Sequence, residues 1–369
     1  LFQQLYNTAD SLIVGNFLGS SALAAVASSG NLIFLLVGFF NGISVGAGVV
    51  IARFFGAHDH RRVHLSIHTT VALGIVCGIV LTILGVVFAP KILILMGTPQ
   101  DVLPNSIIYF RVYFMGSLAF VLYNAFTGIL QALGDSKHPL YYLIISSVIN
   151  VVLDIVFITV FDMGVGGAAL ATIISQIVSA VLCFVHLIRL PAYPLKVQQI
   201  RFDLPMLKLV IQNGLPAGIQ NSIIALANVV VQSYINSFGQ MAVAGCGAYS
   251  KIEGFGFLPI TCFALAMTTF VSQNIGAKKY ERVKKGTRFG IICSLVLAQI
   301  IGMIIFIGAP FLIGLFDSTQ DVISYGTMQA RTVTLFYFLL AFSHCIAGIL
   351  RGAGKSMIPM IVMMIFWCV

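Results

Sequence analysis

Three acidic residues, Asp10, Asp154 and Glu253, stand inside long apolar runs of a 369-residue chain. A charge in hydrocarbon costs about 2.5–3.5 kcal/mol on insertion scales, so an acid kept there points to a binding or transport role. Asp10 follows Tyr6 by four residues, and Asp154 follows Asn150 by four. On a helix that spacing stacks both side chains on one face. Each acid therefore comes with a neutral hydrogen-bonding partner and no Lys or Arg beside it. Desolvation without a counter-ion favours a protonated carboxyl or a bound cation, and a second acid nearby favours it further. The chemistry expected is reversible binding of H⁺ or Na⁺. The plainer alternative is a helix–helix hydrogen bond made by a neutral acid.

Glu253 differs, because Lys251 lies two residues before it on another helix face. It reads equally as half of an ion pair bracing its bundle or as a substrate-facing acid. Arg111 and Arg331 fall near the outer ends of their spans and read as snorkelling side chains. His60, His64 and His68 have helical spacing, but they sit at a loop with no carboxylate set, so a metal is not expected. The seven cysteines all lie in apolar runs without a CxxC pair, which reads as packing and not as a disulfide or metal framework. No P-loop is present, and the Gly-rich stretch at 163–170 reads as a tight outer turn. Pro216 and Pro259 fall inside spans, where each loosens the backbone ladder.

The elements that must position these acids follow from composition. Hydrophobic residues make up 59% of the chain and charged ones 8%, with a mean hydropathy of +1.03. A soluble domain carries about 25% charged residues, so this is a polytopic membrane protein. The net charge of +9 sits in short loops, which reads as topology and not as nucleic-acid binding. Long apolar stretches, which read as helices made to cross about 30 Å of hydrocarbon, fall at about 1–15, 23–52, 64–88, 104–132, 138–161, 165–188, 204–236, 241–276, 286–312, 322–350 and 356–369. These are eleven spans, of which the first and last are expected to be cut short. With the 53–63 loop taken as cytoplasmic, 16 of the 20 Lys and Arg fall on that side, as positive-inside sorting demands.

A repeat of 220 residues runs through the chain without a gap. Asn16, Gly19, Ala22 and Ala24 match Asn236, Gly239, Ala242 and Ala244, and GILQALGDSKHP at 128–139 matches GILRGAGKSMIP at 348–359 at six of twelve positions. Asp10, however, is matched by Val230. One period holds six spans, an even number, so the halves share an orientation and are expected to be related by a pseudo-two-fold axis along the membrane normal. The expected fold is an all-α polytopic protein of two six-helix bundles. The N-terminal bundle takes 1–188 with its first helix truncated, a cytoplasmic linker takes 189–205, and the C-terminal bundle takes 206–369 with helix 12 absent.

The stretches YNTADSLIVGNFLG, ARFFGAHD, GILQALGDSKHP, NVVLD, GGAALATIISQ, NGLPAGIQNS and GILRGAGKSMIP cover the chain in order. Together they resemble the multidrug and toxic compound extrusion (MATE) antiporters, and most closely their bacterial DNA-damage-inducible-type branch. The resemblance implies two bundles around a central cavity, alternating access, and export of drugs and other xenobiotics driven by entry of H⁺ or Na⁺. It places a cation site in the N-terminal bundle at Asp10, Asn150, Asp154 and Thr172, with Tyr6 and Gln3 at corresponding places. Gln3, Gln220, Asn221, Lys251 and Glu253 are the candidates for the substrate cavity. The helix-7 carboxylate of the other bacterial branch is missing, since Gln220, Asn221 and Ser222 occupy that neighbourhood. The expectation is a monomeric, non-enzymatic transporter of the prokaryotic cytoplasmic membrane, without a cofactor. Its substrate is a cationic or amphipathic small molecule, and no metal is expected beyond Na⁺ at Asp10 and Asp154. The alternative is a lipid or lipid-linked oligosaccharide flippase of the same superfamily, which a strongly basic cavity would have favoured; only Lys251 among Lys and Arg fits such a place.

Overall fold

The computed structural model describes residues 13–14, 17–18, 20–95, 103–316 and 319–368. Among them every regular element is helical. The chain runs through α1 (Ser20–Gly56), α2 (His60–Leu95), α3 (Leu103–Met115), α4 (Ser117–Ala132), α5 (Lys137–Ile155) and α6 (Gly164–Ile188). It continues with α7 (Leu204–Asn236), α8 (Gln240–Gly276), α9 (Tyr280–Gly314), α10 (Gln320–Thr334), α11 (Tyr337–Gly352) and α12 (Met357–Cys368). Seven described helices are long and apolar enough to cross a membrane, and nine spans result if α3–α4 and α10–α11, bent by 48° and 53°, each count once.

The repeat expected from sequence governs the element boundaries. Adding 220 to the ends of α1, to the starts of α2, α4 and α5, and to the end of α4 gives those of α8, α9, α11, α12 and α11. The turns repeat as well. After α4 the Asp135 amide bonds the Leu130 carbonyl at 2.9 Å, and after α11 the Lys355 amide bonds Leu350 at the same distance. This bond pattern closes a helix end through one left-handed residue, supplied by Gly134 (φ 95°) and Gly354 (φ 77°). The α1–α2 and α8–α9 turns use His58 (φ 55°) and Lys278 (φ 57°) instead. In both bent pairs the break is marked by an amide reaching back three residues, from Gly116 to Tyr113 and from Phe336 to Val333.

The described residues up to Ser222 form one compact unit and those from Ile223 onward the other. The first unit is packed around α1–α6, with α4 and α6 against each other and α2 against α4. The linker is not a free tether. Tyr193 and Leu195 are buried in a core with Ile51, Val63, Ile67 and Leu187. His68 explains part of this anchoring. Its Nδ1 lies 2.8 Å from the His64 carbonyl and its Nε2 accepts the Lys196 amide at 3.1 Å. Tyr193 meets His60 Nδ1 at 2.8 Å, and the Asp203 amide donates to Thr69. The histidine face read from the sequence therefore holds the linker. The start of α7 belongs to this unit too, for the Asn221 side-chain amide donates to the Gly38 carbonyl at 3.0 Å.

In the second unit α8 lies at the centre, packed against α9, α10 and α11. Tyr249, Ile260, Ile305, Ile313, Tyr337 and Ala341 make its core. Close approach of α8 and α11 requires glycine: a Cβ on Gly348 or Gly352 would run into the Ala264 or Thr268 carbonyl. The Thr268 hydroxyl then donates across to the Gly348 carbonyl at 3.0 Å.

Candidate functional site

Two packed helices, α5 and α6, carry the described part of the N-terminal polar candidates. On α5, Asn150 and Asp154 have no solvent exposure at all. Neither Nδ2 nor Oδ1 of Asn150 meets a hydrogen-bond partner among the described residues. Leaving a buried polar group in that condition costs about 1–3 kcal/mol, which marks it as more than a packing residue. One residue beyond Ile155 the helix widens into a π-turn over Val156–Val160, closed by the Phe161 amide on the Val156 carbonyl at 3.2 Å. Such turns recur at functional positions because one extra residue re-aims the side chains around it.

Opposite lies α6, which packs along α5. Thr172 is buried, and its hydroxyl donates to the Ala168 carbonyl at 3.1 Å. Ser175, Gln176 and Ser179 continue the same buried stripe. The signal was present in the sequence as polar residues at i, i+3, i+4 and i+7 in TIISQIVS, yet only Thr172 was singled out from it.

Asp10, Tyr6 and Gln3 lie outside the described residues. The chain just after them is placed: Val14 is fully buried in one cluster with Tyr109, Ile158, Val165, Ala168 and Ala169. Ile13, Leu18, Val112 and Tyr113 pack on that cluster. Tyr109 and Tyr113 of α3, with ring centroids 6.2 Å apart, were not anticipated.

The remaining candidates stand apart from this group. Gln220 is buried and Asn221 is committed to the Gly38 carbonyl. Lys251 is exposed. Glu253 does not pair with it; its Oε1 accepts the Tyr249 hydroxyl at 3.4 Å, and Tyr249 meets Tyr337 at 3.3 Å. An i, i+4 tyrosine is thus the neighbour of this acid too, and the ion-pair brace, one of the two readings held equal from the sequence, is not formed with Lys251. His344 points its Nδ1 at the Leu340 carbonyl and sets its ring against Phe257, 5.0 Å between centroids.

Residues 1–156 and 216–369 match MatE. The chain belongs to the MatE family. Among its MatE relatives is the probable multidrug resistance protein YoeA of Bacillus subtilis (strain 168), 31% identical over 361 residues, covering 95% of this chain and 78% of that protein. The probable multidrug resistance protein NorM of Thermotoga maritima is 27% identical over 368 residues, covering 98% and 79%. The crystal structure of a MATE protein in the bent conformation is 25% identical with a TM-score of 0.91, covering 98% of this chain and 81% of that one. A Pyrococcus furiosus transporter described by the reverse polarity of its binding pocket is also 25% identical, with a TM-score of 0.92 and coverage of 98% and 81%. The MatE assignment makes this a multi-pass protein of the bacterial plasma membrane with the MATE transporter fold.

Proposed function

We propose that the protein is a cation-coupled antiporter that exports small amphipathic or cationic drugs by alternating access, and that Asp10, Asn150, Asp154 and Thr172, with Tyr6, bind the coupling H⁺ or Na⁺. The observation that carries this is the cluster of Val14, Ile158 and Ala168. Each of these lies four residues from a proposed ligand: Val14 after Asp10, Ile158 after Asp154, Ala168 before Thr172. Loop charge runs the first and fifth spans outward and the sixth inward, so on this reading Asp10, Asp154 and Thr172 belong at one level, a turn inward of the cluster. All the donors at that level are oxygens, the set a proton or a hard cation takes. Multidrug resistance is what the names of the YoeA and NorM relatives carry, which supports drugs over lipid as cargo.

Coupling follows from charge alone. Two desolvated carboxyls repel when both are ionised, and a bound proton or Na⁺ removes that repulsion and lets the first span close on the fifth and sixth. Drug and cation then favour different conformations, which is what antiport requires. The test is efflux of a fluorescent cationic drug from proteoliposomes with ΔpH and ΔNa⁺ imposed separately. One gradient should drive efflux in the native chain and neither in Asp10→Asn or Asp154→Asn. Gradient-driven efflux surviving both substitutions would move the coupling acid elsewhere, with Glu253 the next candidate.

A further inference from the structure

We propose that Asp135, His138 and His186 form a binding site for a divalent late transition-metal ion of the Zn²⁺ type, at the end of the first unit where α4, α5 and α6 meet. The inference rests on this cluster alone and is independent of the transport mechanism proposed above. The three ligand atoms offered by these side chains lie within 4.8 Å of one another. Asp135 stands in the turn after α4, His138 in the first turn of α5 and His186 in the last turn of α6. The positive-inside bias puts this end in the cytoplasm, with Lys137 and Arg189 next to it and exposed.

The geometry is convergent. Asp135 Oδ1 accepts the His138 backbone amide at 3.2 Å, which fixes the carboxylate. Its Oδ2 is then aimed at both rings, 2.7 Å from His138 Nδ1 and 3.1 Å from His186 Nε2. Both ring nitrogens thus converge on this one carboxylate oxygen, so the three ligand atoms a metal needs are already gathered in one place. The imidazoles lie against each other, 4.3 Å between centroids. The far nitrogen of His186 is held by the Tyr142 hydroxyl at 3.2 Å, the outer contact that orients a metal-binding histidine.

Two imidazoles and a carboxylate suit Zn²⁺, Co²⁺ or Ni²⁺ better than Mg²⁺ or Ca²⁺. Three protein ligands leave room for water at the rest of the shell, in keeping with the partial exposure of Asp135 and His186. Burial pushes the Asp135 carboxyl upward, but the His138 amide and the two imidazoles outweigh it and hold it below the usual carboxylate range. A bound ion would add a further tie between the α4–α5 turn and the end of α6, which already share hydrogen bonds and an apolar core.

The experiment is titration of the purified full chain in detergent with Co²⁺ and Zn²⁺ near neutral pH, by visible absorption and calorimetry. One ion per chain is expected. His138→Gln and His186→Gln, which keep a hydrogen-bonding side chain beside Asp135, should each weaken binding at least about tenfold, and Tyr142→Phe about tenfold. Zn²⁺ should raise the apparent unfolding temperature of the native chain and not that of the double glutamine variant. No bound metal in the native chain, or binding unchanged by the histidine substitutions, would overturn the site and leave a hydrogen-bonded triad only. Each glutamine variant is checked for an unchanged elution profile, so loss of folding is separated from loss of ligands.

Discussion

The hydroxyls of Tyr249 and Tyr337 lie 3.3 Å apart in the core of the second unit, and Tyr249 donates onward to Glu253 Oε1 at 3.4 Å. Tyr249 is therefore the middle of a three-member chain. Removing the Tyr337 hydroxyl leaves Tyr249 its acceptor, whereas removing that of Tyr249 strands both neighbours.

Tyr249→Phe should accordingly lower the unfolding temperature more than Tyr337→Phe. The magnitudes expected are about 1–3 kcal/mol for the first and about 1 kcal/mol for the second. Because the two act through one chain, the double variant should be little worse than Tyr249→Phe alone. Thermal unfolding of all three in one detergent decides it, and additive losses would show the hydroxyls to be independent.

Glycine at the α8–α11 contact is demanded by space. Gly352→Ala would put a methyl on the Thr268 carbonyl, and overpacking of this kind costs about 1–3 kcal/mol. Gly247 lies in α8 with nothing within 4 Å of the place its Cβ would take. There alanine should be neutral or stabilising by up to about 1 kcal/mol, from helix propensity. Melting curves for the two variants should move in opposite directions; a shared fall would put the glycine requirement in the helix backbone instead of the packing.

Asn150→Leu separates fold from function. The residue is fully buried with no described partner, so an apolar side chain of similar size should leave stability within about 1 kcal/mol of the native chain. Drug efflux should nevertheless lose its response to the imposed cation gradient. A large loss of stability with the response intact would make Asn150 a structural residue.

The sequence was a good guide to spans, turns and the duplicated plan, because membrane segments are marked by missing charge and the repeat carries no insertions. It was a poor guide to what happens inside a span. The stretches 104–132 and 322–350 read as single helices, yet they break at Gly116 and at Leu335–Phe336, and the second break contains neither glycine nor proline. The π-turn over Val156–Val160 is likewise silent in an unbroken apolar run. The linker was legible as a linker, but the burial of Tyr193 and Leu195 depends on a surface built by distant helices. Of the polar site, Asn150 and Asp154 were legible as membrane-depth polar residues and Thr172 only through the family resemblance, while Ser175, Gln176 and Ser179 of the α6 stripe went unremarked. The Asp135–His138 pair is local, whereas His186 is 48 residues further on, so only folding reveals the triad.

The coincidence of helix ends at an offset of 220 has a practical reading. Residues 1–149 each have a numbered counterpart at 221–369, so segments cut at matching helix ends within them can be exchanged as cassettes without altering loop length. The break region 114–120 could be transplanted onto 334–340, and the reverse, to ask whether the local sequence or the surrounding bundle bends the helix. The same bookkeeping makes the lone carboxylate a matter of one position. Val230→Asp would give the second half an acid in the register of Asp10, turning the asymmetry between the halves into something that can be written and erased at will.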